Sequence, residues 1–289
     1  MARITKTDIY AKHGIEFKKE GNKELIYCKP IDKWINKLIP VGTNTKIGKK
    51  AGTWSMTHGN ETVNIIDMHV KMQEIMKLVN LTEITFSCPI HCDDCYCDNG
   101  CFNFPDNKAK NLLKLILAKY FLEWLERALT AQIEADKITQ IRIHAAGDFF
   151  SIEYTMMWKR IANRFEKQTI FWTYTKVEFA LDILKDIPNL LIVPSITACG
   201  FNFGTCAELL YRYNKLTKLG YRVHICACGT PIEKELDIHC CTCKHGCKAI
   251  RTECDYVLFI KHSTNDYKAG ENDPDEFTKI CEIIAKQNN

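Results

Sequence analysis

Between Leu81 and Lys261 two hydrophobic periods take turns along the chain, and their alternation predicts repeated strand–helix units. Short apolar or alternating runs mark strands at Leu81–Ser87, Gln140–His144, Thr169–Thr175, Leu190–Ile196, Tyr221–Cys226 and Tyr256–Lys261. The stretches between them carry apolar residues at helical spacing. A long helix is expected from about Asn107, with Leu112, Leu113, Ile116, Leu117, Tyr120, Phe121, Trp124 and Leu125 on one face. A second carries Tyr154, Trp158, Ile161 and Phe165, and a third Ala180, Ile183, Leu184 and Ile187. A fourth runs roughly from Cys206 to Leu219 and stops at Gly220, a residue suited to the left-handed turn after a helix. A closing helix is expected over Phe277, Ile280, Cys281 and Ile284.

The first 64 residues follow neither period. They are polar and dotted with glycine, and only Glu24–Cys28 and Thr53–Met56 suggest strands, both at sheet edges. From Asp67 to Asn80 a stripe of Met68, Met72, Ile75, Met76 and Val79 reads as a helix packed on a core.

Six strands alternating with helices imply parallel βα units joined by right-handed crossovers. Six units are too few for an eight-stranded barrel, which leaves a partial barrel or an open, doubly wound sheet. The expected architecture is a partial (β/α)6 TIM-type barrel with an N-terminal extension. That division places the extension at residues 1–80, the barrel at 81–225 and 255–289, and a cysteine-rich metal-binding segment at 226–254. In either form the chemistry belongs at the carboxyl ends of the strands. Cys88–Cys95, Gly147–Asp148, Thr175–Lys176 and Ser195–Thr197 all fall there.

Composition narrows the class. The 289 residues are 46% hydrophobic and 26% charged, ordinary for a globular protein, and the net charge of +4 does not demand a nucleic-acid partner. No run of ~18 apolar residues suggests a membrane span, and the first twenty residues carry no secretory apolar core, so a cytoplasmic location is expected. Sixteen cysteines in a reducing compartment are better explained by metal than by disulfides. Most fall in two groups, Cys88 to Cys101 and Cys226 to Cys254, and the scattered Cys28, Cys199, Cys206 and Cys281 read as small buried hydrophobes.

The first group has the spacing C-x3-C-x2-C at Cys88, Cys92 and Cys95, directly after the Leu81–Ser87 strand. A triad so placed, at the head of six βα repeats, resembles the radical S-adenosylmethionine (SAM) superfamily over about Leu81 to Lys261. The resemblance implies that Cys88, Cys92 and Cys95 hold three irons of a [4Fe–4S] cluster and leave the fourth open for SAM. A cellular electron donor would reduce the cluster, SAM would be cleaved to a 5′-deoxyadenosyl radical, and hydrogen abstraction from a substrate would follow. That substrate could be a small molecule, a peptide or a nucleic acid. An open coordination position serves the same purpose at catalytic zinc.

Two departures from that family are visible. Tyr96 follows the last cysteine, where the family places its aromatic before it, and Cys97 or Cys101 supplies a rival register. The family's glycine-rich SAM turn after the second strand reads here His144-Ala145-Ala146-Gly147-Asp148-Phe149. Gly147 would permit close backbone approach and Asp148 would accept from the SAM ammonium, unless it caps the next helix instead. Tyr96 and Ser195 complete the implied cofactor-binding set, and His144 reads as a core histidine.

Over most of its length the sequence is also similar to a phage-associated family of uncharacterised proteins, gene product 88-like. Asn44-Thr45-Lys46-Ile47-Gly48, Thr53-Trp54-Ser55, Cys88–Tyr96, His144-x-x-Gly147-Asp148-Phe149 and Tyr174-Thr175-Lys176 carry that likeness, followed by the late cysteines and Phe259-Ile260-Lys261-His262. It implies a phage or mobile-element origin and no settled reaction.

In the second group, Cys240, Cys243 and Cys247 with Cys226 or Cys228 make a four-thiolate set. Structural zinc and an auxiliary iron–sulfur cluster both suit it, because soft ligands alone do not separate these metals. Lys46, Lys49 and Lys50 form a short basic run that reads as a solvated loop. Two other readings compete with the radical SAM one: a non-catalytic, metal-stapled phage protein that binds a host component, and a zinc-dependent enzyme acting on nucleic acid.

Overall fold

A computed structural model describes residues 4–42, 50–89, 104–197, 211 and 214–221, and the backbone of 223–226 and 256–259. The N-terminal part opens with a helix, α1 (Lys6–Lys12), started by a capping box in which the Thr5 hydroxyl accepts from the Asp8 amide and the Asp8 carboxylate accepts from Thr5. An antiparallel three-stranded sheet follows: β1 (Phe17–Glu20), β2 (Lys23–Cys28) and β3 (Lys33–Asn36), with β2 in the middle. The 24–28 stretch is therefore a central strand, paired on both sides, and not the edge its short apolar run suggested.

Next come β4 (Ala51–Thr53), β5 (Thr62–Asn64), α2 (Val70–Leu78) and β6 (Glu83–Thr85), then α3 (Pro105–Tyr120) and α4 (Leu122–Asp136). The single long helix expected after Asn107 is two helices that meet at Phe121, whose backbone (φ −137°, ψ 42°) leaves the helical region. The rest alternates as expected: β7 (Gln140–Ile143), α5 (Ile152–Arg164), β8 (Ile170–Thr175), α6 (Glu178–Leu184), β9 (Leu190–Thr197), β10 (Val223–Cys226) and β11 (Tyr256–Phe259). The helix before β10 ends at Gly220 with φ +83°, and the Tyr221 amide donates to the Leu216 carbonyl, as a left-handed helix terminus requires. The closing helix expected over 277–284 lies outside the described residues.

Six of these strands form one sheet in the order β4-β7-β8-β9-β10-β11, every neighbouring pair parallel. One member differs from expectation. The 81–87 stretch is not a strand of this sheet: β6 pairs antiparallel with β5 in a separate two-stranded ribbon, and the edge beside β7 is taken by β4. The sheet thus starts at Ala51, inside the segment that the sequence assigned to an N-terminal extension.

Strand order follows chain order throughout, with no reversal point of the kind that defines a doubly wound sheet. The two faces are unlike. Buried residues of all six helices, with Ile141, Ile143, Phe171, Leu190 and Ile192 of the strands, belong to one apolar cluster. On the opposite face Ala51, Trp172 and Val193, flanked by Tyr174 and Leu191, form a second cluster that contains no helix residue among those described. The described strands form an open sheet rather than a closed barrel.

Four alternating charges tie the N-terminal part to α4. The amines of Lys6 and Lys37 each reach both Glu24 and Asp136, at 2.5 to 2.7 Å. No described helix is long and apolar enough to cross a membrane.

Candidate functional site

Because the sheet is parallel, the carboxyl ends of its strands lie along one edge. The chain beyond β4 keeps pairing there with the chain beyond β7: Trp54 donates to the Arg142 carbonyl, Ala145 to Trp54, and Met56 to Ala146, at 2.8 to 2.9 Å. Thr57 then receives the start of the cysteine loop. Its carbonyl accepts both the Ser87 amide (3.2 Å) and the Ser87 hydroxyl (2.6 Å), while the Cys88 amide donates to the Gly59 carbonyl at 2.8 Å. Cys88 is a half-buried cysteine. The chain is therefore held by backbone hydrogen bonds up to Cys88.

That point touches the His144–Phe149 turn directly. Gly147 has φ +87°, and a β-carbon built on it would stand 2.4 Å from Ser87 Oγ and 3.3 Å from Met56 Cβ. Only glycine satisfies both the backbone angle and the space. The residue before the first cysteine and the glycine of the turn after β7 are thus packed against each other, although 59 positions of sequence numbering separate Cys88 from Gly147.

Asp148 binds the same turn to the end of β8. It is 8% exposed; its Oδ1 accepts from the Thr175 hydroxyl (2.6 Å) and the Phe149 amide (2.8 Å), and its Oδ2 from the Lys176 amide (3.0 Å). Burial raises its pKa above the ordinary carboxylate value, with the three hydrogen bonds and the Lys176 charge working against that shift. The Thr175 hydroxyl in turn accepts from the Val177 amide at 3.0 Å. Asp148 does not cap the helix that follows; Ser151 does, accepting from the Tyr154 amide.

Behind the turn lies a buried polar chain. Trp54 Nε1 donates to the Tyr154 hydroxyl at 2.8 Å, and that hydroxyl is 2.9 Å from His144 Nε2. An indole only donates, so the Tyr154 oxygen accepts from Trp54, and the direction of its bond to His144 follows the imidazole tautomer. Burial pushes His144 down to about 3, and the ring stays neutral. Its backbone is left-handed (φ +58°), an uncommon state for a residue with a β-carbon and one that aims the chain into the Ala145–Gly147 turn. His144 is the core histidine that its apolar strand suggested. On the far side of Trp54, the Lys114 ammonium of α3 lies 5.1 Å from the ring centroid.

A cleft of about 230 Å³ opens beside the start of the cysteine loop. Thr57, His58, Glu61, Met72, Phe86 and Asn111 line it, so it joins ionisable groups to an apolar floor.

Of the residues singled out from sequence, the structure therefore brings Cys88, Gly147 and Asp148 to one place. Ser195 sits in β9 in register with His224, and Cys226 ends β10 in register with Thr197 and Phe259, on the same carboxyl edge of the sheet. Cys92, Cys95, Tyr96, Cys240, Cys243 and Cys247 lie outside the described residues, and so does the Lys46–Lys49 run. Among the described residues no group of three or more His, Cys, Asp or Glu side chains is arranged to hold a metal. Sequence reasoning missed Ser87 and Tyr154 as parts of this edge; Ser87 is an unremarkable strand-end serine until Gly147 is seen against it.

Trp54, Cys88, Gly147–Asp148 and Thr175–Lys176, scattered over more than 120 positions, meet at this edge through Ser87, Tyr154 and direct hydrogen bonds. Comparison with known proteins finds no match among curated sequences and none among solved structures. The family model described as Gene product 88 matches residues 41–199, a stretch that holds every one of those contacts. It covers more than half of the 289 residues, and the chain belongs to the phage gene product 88 family.

Proposed function

We propose that this protein is an iron–sulfur enzyme of the radical SAM type, built on a partial (β/α)6 barrel wall. The observation that carries the reading is the contact between Ser87 and Gly147, which sets the residue before the first cysteine of the C-x3-C-x2-C motif against the turn after β7. A parallel sheet in chain order, with helices on one face, is what a barrel wall needs, and its carboxyl edge is where barrel chemistry gathers.

The donor set suits a [4Fe–4S] cluster with one open iron: three closely spaced cysteines at Cys88, Cys92 and Cys95, the first of them half-buried at that edge. When bound, the cluster and SAM would supply a hydrogen-abstracting radical, chemistry that belongs to the cofactors. The chain's own task is to position them. Gly147 admits Ser87 and so fixes where the loop departs. Asp148 is engaged by Thr175, Phe149 and Lys176, so its part is to hold the shape of the turn, and a ligand's ammonium would share it with those donors. Tyr96 and Ser195 would complete the SAM side. The late thiolates Cys240, Cys243 and Cys247, with Cys226 at the end of β10, would hold a second metal centre, zinc or iron–sulfur, along the same edge.

Metal content tests this reading. Protein purified without oxygen should be brown and contain iron and acid-labile sulfide. A colourless protein holding only zinc would overturn the proposal and favour a zinc-stapled binding protein or a zinc-dependent enzyme acting on nucleic acid.

A further inference from the structure

The sheet face turned away from the helices carries a cation that the site described so far does not use. Arg142 of β7 is in register with Thr53 on one side and Trp172 on the other. Its guanidinium lies 5.2 Å from the Trp172 ring centroid and 5.9 Å from that of Tyr174. No carboxylate pairs with it among the described residues. Its Nε is buried without a hydrogen-bond partner, and Trp172 Nε1, on the same face, is buried and unpartnered too. Trp172 itself is 2% exposed.

A buried donor left unmade costs stability, and a guanidinium costs more than a neutral group. Aromatic faces offset part of that cost and fix the orientation of the planar fork, but they leave its N–H groups unbound. Among the neighbours on this face Ala51, Val193 and Leu191 are apolar, while Thr53 and Tyr174 bring hydroxyls, neither of which bonds the Arg142 Nε. A pre-oriented, half-desolvated guanidinium beside a free indole N–H is a recognition element for an oxyanion, since carboxylates and phosphates take two parallel N–H donors.

We propose that Arg142 and Trp172 form an anion-recognition site on the sheet face that carries no helix among the described residues, and that the ligand it takes carries a carboxylate or phosphate group. The site stands on these contacts alone and holds whether or not the cysteine loop carries iron.

The test is titration of the full chain with orthophosphate in one arm and succinate in the other, read by thermal melting. One of the two anions should raise the melting temperature saturably, and the responding arm names the chemistry. Arg142→Met should weaken that anion by about 10- to 100-fold, the loss expected for charge-assisted hydrogen bonds. With no anion present it should melt no lower than the parent, because the methionine removes an uncompensated charge while keeping the packing on Trp172. A purely structural arginine would instead lower the melting temperature on replacement. Should Arg142→Met fail to fold, spectra of arginine-labelled parent protein supply the second readout. The Nε–H cross-peak that Arg142→Lys lacks should move saturably with the same anion. A cross-peak that stays fixed in both arms, or an anion response equal in parent and Arg142→Met, would overturn the proposal.

Discussion

On the iron–sulfur reading proposed for this chain, replacing Cys92 by alanine should remove the iron of the first cluster and leave the second metal in place. Three thiolates hold such a cluster, and the loss of one from a site with an already open iron leaves too few ligands to retain it. The two cysteine groups start from different elements. The first starts at Cys88, after β6 of the two-stranded ribbon and bonded to the Gly59 carbonyl, and the second at Cys226, at the end of β10 in the six-stranded sheet. The change is read as iron and sulfide per chain and as loss of the visible thiolate–iron absorption. Loss of both metals together would mean that the two groups share one centre.

The second large effect is expected at Gly147. A β-carbon there would stand 2.4 Å from Ser87 Oγ, with a backbone at φ +87° that L-residues rarely adopt. Strain of that kind and overpacking each cost on the order of 1–3 kcal/mol, so Gly147→Ala should lose about 3 kcal/mol in urea denaturation. The two causes separate in a double variant. Adding Ser87→Ala removes the atom that clashes and should recover the steric share, leaving the backbone share and the lost hydrogen bond to Thr57. Equal stability of Gly147→Ala and the parent would show that Ser87 does not pack against the turn.

The strands of the sheet from β7 onward were legible because buried parallel strands are continuous apolar runs. Leu190–Val193 has that form, Phe171–Tyr174 is broken only by Thr173, and in β7 Ile141 and Ile143 alternate with Arg142. Its first strand was legible only in part, as an edge strand over Thr53–Met56; β4 starts two residues earlier, and the chain to Met56 goes on pairing beyond it. Ala51-Gly52-Thr53 is three residues long and carries no apolar side chain larger than alanine. Gly52 is there because a β-carbon would meet Ile39 Cγ2 at 2.3 Å, a reason that exists only in three dimensions. The 81–87 run has the right alternation for a strand and forms one, but alternation does not say which partner a strand takes, and Thr62–Asn64 claims it. The break between α3 and α4 escaped notice because Phe121 interrupts the backbone without interrupting the apolar stripe.

The candidate site shows the same division. Cysteine spacing and the place of Gly147-Asp148 after a strand could be read from order alone. What holds them together could not, because the bonds join residues far apart in sequence. The Asp148–Thr175 bond spans 27 positions and the Trp54–Tyr154 bond 100. Asp148 was read as a ligand for an ammonium or a helix cap. The structure shows a third use, a buried carboxylate that ties the ends of β7 and β8 together, and no sequence pattern distinguishes it from the other two.

On the proposed reading, the edge where Ser87 meets Gly147 supports reductive cleavage of SAM. Its most direct test is to incubate the anaerobically reconstituted protein with dithionite and SAM and measure 5′-deoxyadenosine. The account predicts release that depends on iron and disappears in Cys92→Ala. A protein with a full iron–sulfur complement that releases none would contradict it.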